Sequence, residues 1–194
     1  HTLAEQLTGY LMCDAQSACG HCHGCKMLAV ESHPDVFRVG LIEGKRDLNI
    51  EQVRGVLDFL SLSGAESGRR VVILDDAERM NGQAANALLK GLEEPSAGSL
   101  LLMVCSDLER LPATVRSRCM LQQCSPLDAT CVAQVLQQLE SPVQERYLDL
   151  AVSLANGSPG AVACMQDNKI AEALLLWRDL LADMATATFG EQGV

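Results

Sequence analysis

The stretch Arg70-Val71-Val72-Ile73-Leu74-Asp75-Asp76 constrains the fold of this chain more than any other segment. Four successive apolar residues, without the polar alternation of a half-exposed strand, require cover on both faces, as in a parallel sheet. Leu100-Leu101-Leu102-Met103-Val104-Cys105 repeats the pattern and stops at Ser106-Asp107. Val36–Val39 reads as a shorter strand after the break at His33-Pro34-Asp35, and Met120–Cys124 as a further one. Between these runs the apolar period lengthens to that of helices. Leu3, Leu7, Tyr10 and Leu11 line one helix face. Ile50, Val53, Val56, Leu57 and Leu60 line a second, which opens on a capping box of Asn49 and Gln52. Asn81 to Glu93 is a third helix, stopped by Pro95, and Pro112 to Ser117 a short fourth. Strands alternating with helices predict an α/β layered fold with a parallel sheet and helices on both faces.

The pattern changes after Pro126. Val132, Val135, Leu136 and Leu139 mark one helix, and Leu148, Ala151, Val152 and Ala155 another. Gly157-Ser158-Pro159-Gly160 separates this pair from Ala161 to Met165. A last helix carries Ile170, Ala173, Leu174, Trp177, Leu181 and Met184. The domain boundaries are therefore read at 1–125, 126–168 and 169–194.

Hydrophobic residues make up 48% of the 194, enough for a sizeable buried core. No apolar run is long enough to span a membrane. The start, His1-Thr2-Leu3-Ala4-Glu5-Gln6, has neither an initiator Met nor the basic and apolar regions of a signal peptide, and opens inside a helical pattern, so the sequence reads as a fragment. The net charge of −10 argues against a surface that grips many phosphates directly, and aromatic residues at 3% argue against base stacking. A free-standing domain that reads nucleic acid is thereby disfavoured. Work on DNA would pass through partners.

Nine cysteines would suit a secreted disulfide scaffold, but four of them lie within thirteen residues while Cys105, Cys119, Cys124, Cys131 and Cys164 are scattered in apolar contexts. That distribution fits a reducing cytoplasm, one metal site and several buried thiols. Cys13-x5-Cys19-x2-Cys22-x2-Cys25 offers four thiolates to one tetrahedral ion, with Gly20 and Gly24 permitting tight turns. Four protein ligands leave no open position for a catalytic water, so structural Zn²⁺ is expected. His21 and His23 interleave the thiols and either could replace one; an iron–sulfur cluster is the other chemistry that four thiolates suit.

Acids at the end of a buried strand, here Asp75 and Asp76, stand where nucleotide-binding α/β proteins hold Mg²⁺. Alone they read equally well as a solvated turn. They are followed by Asn86-Ala87-Leu88-Leu89-Lys90, Leu92-Glu93-Glu94-Pro95, Leu111-Pro112 and Ser117-Arg118-Cys119. This succession, with a four-Cys module after the first helix, closely resembles the bacterial clamp-loader ATPase family, the gamma/tau and delta-prime subunits of DNA polymerase III. The resemblance runs from Thr2 to the last helix.

The resemblance implies an AAA+ (RecA-like) core with an inserted zinc module, a small helical lid, and the beginning of a C-terminal collar domain. It implies that Arg118 of Ser117-Arg118-Cys119 acts as an arginine finger in a neighbour's ATP site, where a planar, permanently charged fork suits a γ-phosphate; the alternative is an arginine that only salt-bridges an acid locally. It also implies a degenerate nucleotide site in this chain. His1 stands where the family has a Mg²⁺-binding Thr or Ser, Asp76 where hydrolysing members have Glu, and Gly160 where active relatives have a phosphate-sensing Arg. Ser106 keeps a polar group at the sensing position, which reads equally as a strand-end cap. That combination is the delta-prime pattern, with ATP/Mg²⁺ not hydrolysed by this chain; an ATP-hydrolysing gamma/tau-like subunit is the alternative. The implied partners are gamma/tau and delta subunits, with the sliding clamp and primed DNA reached through the complex.

Overall fold

The computed structural model describes residues 2–62, 64, 68–138, 144–166 and 172–179. The chain divides into two compact units, His1–Leu121 and Gln122–Val194. In the first, helix α1 (Thr2–Met12) leads through the cysteine segment to α2 (His23–Ala29) and strand β1 (Val36–Val39). Helix α3 (Ile50–Ser61), strand β2 (Arg70–Leu74), helix α4 (Gly82–Glu93), strand β3 (Ser99–Met103) and the short α5 (Ala113–Arg116) follow. The three strands form one parallel sheet in the order β1-β2-β3, so β2 is central.

Strand register divides the apolar side chains between two faces. Val72 and Leu74 pair in register with Phe37 and Val39 on one side and with Leu101 and Met103 on the other. These residues join a core with Val53 and Val56 of α3, Ala84, Ala85 and Leu88 of α4, and Val115 of α5. Val71 and Ile73 point to the opposite face and are just as fully buried. Arg38, in register with Ile73, shares that face and makes a two-pronged ion pair with Glu5 of α1, both contacts at 2.8 Å. Helix α1 therefore covers one face of the sheet while α3 and α4 cover the other, as the unbroken apolar run in β2 requires.

The helix ends follow local chemistry. Asn49 and Gln52 form the expected capping box at the start of α3: the Asn49 side chain accepts from the Gln52 amide at 3.0 Å, and the Gln52 side chain accepts from the Asn49 amide at 3.1 Å. Asn81 caps α4 in the same way, accepting from the Ala84 amide at 2.9 Å. Two sequence expectations need correction. Residues 120–124 are not a strand: no strand lies beside them among the described residues, and Met120 is 99% exposed. An apolar pattern this short becomes a strand only where a neighbour supplies a backbone ladder. Gly24, expected at a tight turn, lies instead within α2.

The second unit packs α6 (Ala129–Gln137) against α7 (Glu145–Ala155) around Val132, Leu136, Tyr147, Ala151, Ala155 and Val162. Asp128 caps α6 by accepting from the Cys131 amide at 2.7 Å. Residues 172–179 are helical, and Tyr147 donates its hydroxyl to Glu172 at 3.2 Å. His1, Leu139, Ile170, Leu181 and Met184 lie outside the described residues. No described helix is long and apolar enough to cross a membrane.

The Glu5–Arg38 pair is the polar tie between α1 and the sheet. The Arg38 hydrogen bonds hold the Glu5 carboxyl below the usual glutamate range, so the pair stabilises above the ordinary glutamate pKa and is lost as pH falls through the lowered value. Arg38→Ala is expected to cost roughly 1 kcal/mol near neutral pH, as bidentate, partly buried pairs do. Urea unfolding at pH 7 and at pH 3 checks it: the gap between variant and wild type should shrink at the lower pH.

Candidate metal centre and strand-end site

The four cysteine sulfurs converge although their residues span two helix ends. Cys13 follows directly after α1, and Cys22 is the N-cap of α2, its sulfur accepting from the Cys25 amide at 3.4 Å. All four Sγ atoms lie within 4.8 Å of one another, with Cys13 and Cys25 buried and Cys19 and Cys22 half-buried. The Cys13 and Cys22 sulfurs are 3.9 Å apart. A tetrahedron with metal–sulfur bonds of about 2.3 Å has edges of about 3.8 Å, so the spacing fits a four-thiolate ion.

Backbone geometry builds this cradle. A side chain on Gly24 would put its Cβ 2.3 Å from the Met12 carbonyl oxygen, so only glycine lets α2 approach the end of α1 this closely. Gly20 turns the chain with φ +78°. His33 is buried beneath, its ring accepting from the Asp35 amide at 3.1 Å. Hydrogen bonds from the Cys19 and Ser17 amides pull the Cys13 thiol down to about 5, which makes it a ready thiolate. For Cys25 a Gly20 backbone hydrogen bond favours the thiolate, but burial and the neighbouring sulfurs outweigh it and push the thiol up to about 12. A cation held by the four sulfurs would favour all four thiolates, because its charge would offset the repulsion between them. His21 instead bonds the Cys19 carbonyl oxygen at 2.8 Å, and His23 is exposed. Among the described residues the ligand set is four cysteines.

The strand-end acids lie where the register of β2 and β3 directs them. The Asp75 amide donates to Val39 O at 2.8 Å, and the Asp76 amide to Asp75 Oδ1 at 3.1 Å. Asp76 takes a left-handed backbone, φ +50°, which Asp tolerates better than most residues. The Ala77 amide then donates to Val104 O at 2.9 Å, tying the end of β2 to the end of β3. Ser106 adds a second tie: its hydroxyl donates to Glu78 Oε1, and its amide reaches the same oxygen at 3.4 Å.

Glu78 was not foreseen from the sequence. It is 7% exposed, and its Oε2 has no hydrogen-bond partner among the described residues. Burial opposes its charge, but the Ser106 hydroxyl, the Glu78 and Ser106 amides and the Arg110 charge outweigh burial, holding the carboxyl below the usual range. The only sequence signal was a third acid in Asp75-Asp76-Ala77-Glu78; its burial depends on Ser106, 28 residues away. Gly160 is exposed at the start of the turn Pro159–Gln166 in the second unit.

Arg118 pairs with Glu93 rather than with the strand-end acids Asp75, Asp76 and Glu78. Ser117-Arg118-Cys119 folds back over α5. Ser117 Oγ donates to Thr114 O at 3.1 Å, Arg118 Nη1 to Thr114 O at 3.0 Å, and the Cys119 thiol to Val115 O at 3.1 Å. The Arg118 guanidinium also grips Glu93, at the last turn of α4. Helix α4 starts six residues after Asp76, and eleven rises of about 1.5 Å each carry Glu93 about 16 Å from that start.

The family described as DNA polymerase III, delta subunit, matches residues 1–128. A protein named DNA polymerase III subunit delta' from Pseudomonas aeruginosa is 38% identical over 160 residues, covering 81% of this chain and 49% of that protein. Its Escherichia coli K12 namesake is 36% identical over 166 residues, covering 84% and 49%. The chain thus spans about half the length of these relatives. A solved structure of a DNA polymerase III gamma subunit-related protein from Thermotoga maritima superposes with a TM-score of 0.53 at 24% identity, over 72% of this chain and 47% of that one. At that identity the likeness is one of fold.

The cradle predicts a defined metal stoichiometry. Elemental analysis is expected to find one ion per chain, and Cys22→Ser to weaken its retention against a chelator at least about tenfold. Gly24→Ala, which leaves every ligand in place, should also lose the ion, because its Cβ would meet the Met12 carbonyl. Full retention by Gly24→Ala would show that α2 need not approach α1 so closely.

Proposed function

This chain belongs to the DNA polymerase III delta-subunit family, and from that premise we propose that it is a delta-prime-type clamp-loader subunit that hydrolyses no ATP itself. On this reading it works in the cytoplasm beside gamma/tau and delta subunits and helps place the sliding clamp on primed DNA. Residues 1–125 form its AAA+ core, 126–168 the lid, and 169–194 the opening of the collar. The metal is zinc, held by Cys13, Cys19, Cys22 and Cys25; these ligands fix the loop between α1 and α2, and the ion supplies structural cohesion rather than chemistry.

Arg118 donates its guanidinium to the ATP bound by a neighbouring subunit. The observation that carries this reading is its separation from Asp75 and Asp76 by the length of α4, with a side chain still 35% exposed. A cation so placed has little to offer a nucleotide at Asp75 and Asp76, and is available to one presented from outside. The degenerate site fits the same assignment. Asp76 is one methylene shorter than glutamate, and the Ser106 hydroxyl donates to Glu78. Asp75, Asp76 and Ser106 therefore form a degenerate nucleotide site that turns no ATP over.

In a loader reconstituted with the full chain, clamp and primed DNA, Arg118→Ala is expected to leave assembly intact and to lower ATP turnover at the adjacent site by about 10³-fold. Arg118→Lys should fail nearly as badly, since an ammonium keeps the charge and loses the fork. Arg116→Ala should do much less: Arg116 bonds Leu108 O and Glu109 in the preceding turn of its own chain. Wild-type turnover by the Arg118→Ala loader would end the finger assignment, and ATP hydrolysis by the isolated full chain, abolished by Asp75→Asn, would favour the gamma/tau-like alternative.

A further inference from the structure

The guanidinium of Arg118 is already occupied by its own chain. It has five N–H donors in a rigid fork. Nε donates to Glu93 Oε1 at 2.9 Å, and Nη2 donates to the same oxygen. Nη1 donates to Thr114 O at 3.0 Å and to Ser117 Oγ at 3.3 Å. One donor on Nε, one on Nη2 and two on Nη1 make four of the five.

We propose that Glu93 is a latch: it parks and neutralises Arg118 while no neighbouring nucleotide is engaged, and the phosphate of that nucleotide displaces it. The inference rests on the finger assignment above and concerns how that finger is regulated. Three features support it. Glu93 binds through Nε and Nη2, an edge of the fork that a bidentate phosphate contact would also use, so the two acceptors compete. A terminal phosphate brings more negative charge and more acceptor oxygens than one carboxylate, which sets the direction of exchange. The pair is also weak enough to give way, because the side chains are 35% and 52% exposed and water and salt screen them.

The Nη1 contacts to Thr114 and Ser117 come from a different element, α5 and its end, whereas Glu93 ends α4. Release of Glu93 therefore leaves the arginine anchored at one edge with the other edge free. Glu93 is thus a regulatory and positioning residue; it touches Arg118, not the nucleotide.

The test uses the full chain in the reconstituted loader. Glu93→Gln is expected to raise ATP turnover measured without clamp or DNA by about fivefold, the equivalent of about 1 kcal/mol. The ratio of variant to wild type should fall toward one as salt is raised, since salt already weakens the latch in wild type. Added to Arg118→Ala, Glu93→Gln should change nothing. If Arg118→Ala keeps full turnover, the finger and the latch fall together. If Arg118→Ala is crippled but Glu93→Gln is unchanged or slower, the finger stands and the latch falls. A gain from Glu93→Gln that persists without Arg118 would overturn the latch equally.

Discussion

The burial of β2 on both faces is the constraint from which the rest of this chain follows. Val71, Val72, Ile73 and Leu74 are each at most 1% exposed, and an interior strand of this kind exists only if helices pack above and below it. The Val72 and Leu74 face recruits α3, α4 and α5. The Val71 and Ile73 face is covered by α1, which Glu5 fixes to Arg38. Each functional feature hangs from one of those consequences. The cysteine cradle begins where α1 ends, the acids stand at the carboxyl end of β2 itself, and Arg118 is placed through the packing of α5 on α4.

What could be read in the sequence is what depends on near neighbours along the chain. The Asn49–Gln52 capping box, the helix opening at Asn81, the spacing of the four cysteines and the β2 run are set by residues within a few positions of one another, and all were legible. Met120–Cys124 had a strand-like composition, but a strand is a relation between segments, and no partner lies beside it in the described structure. Glu78 failed for the complementary reason. Nothing around it in sequence marks a buried carboxylate, and its place is made by Ser106 and Arg110 on a different loop. Glu93 was legible only as part of a motif; its contact with Arg118 spans 25 residues.

The two ends of α4 divide the chemistry. At the amino end, three acids gather around the strand tips, and the hydroxyl that could report a phosphate, Ser106, is already committed to Glu78. At the carboxyl end, a single arginine is held by contacts that are partly exposed and readily exchanged. On the proposed reading, the chain thus commits its polar groups where catalysis would need them free and leaves exchangeable the one cation that another subunit needs.

That asymmetry also bears on why a metal is useful here. The segment from Met12 to Val36 contains seven residues of α2 and otherwise only turns, with positive φ at Gln16, Ala18, Gly20 and Glu31. Such a segment buries little apolar surface and cannot offset its own ordering entropy by packing. Four thiolates around one dication would supply the missing cohesion without lengthening the core, because each metal–sulfur bond would fix a turn. Gly24 shows the limit of that substitution: the ion can draw α2 toward α1 only because no Cβ stands between them. A metal in the cradle and the glycine would act together in holding α2 against the end of α1.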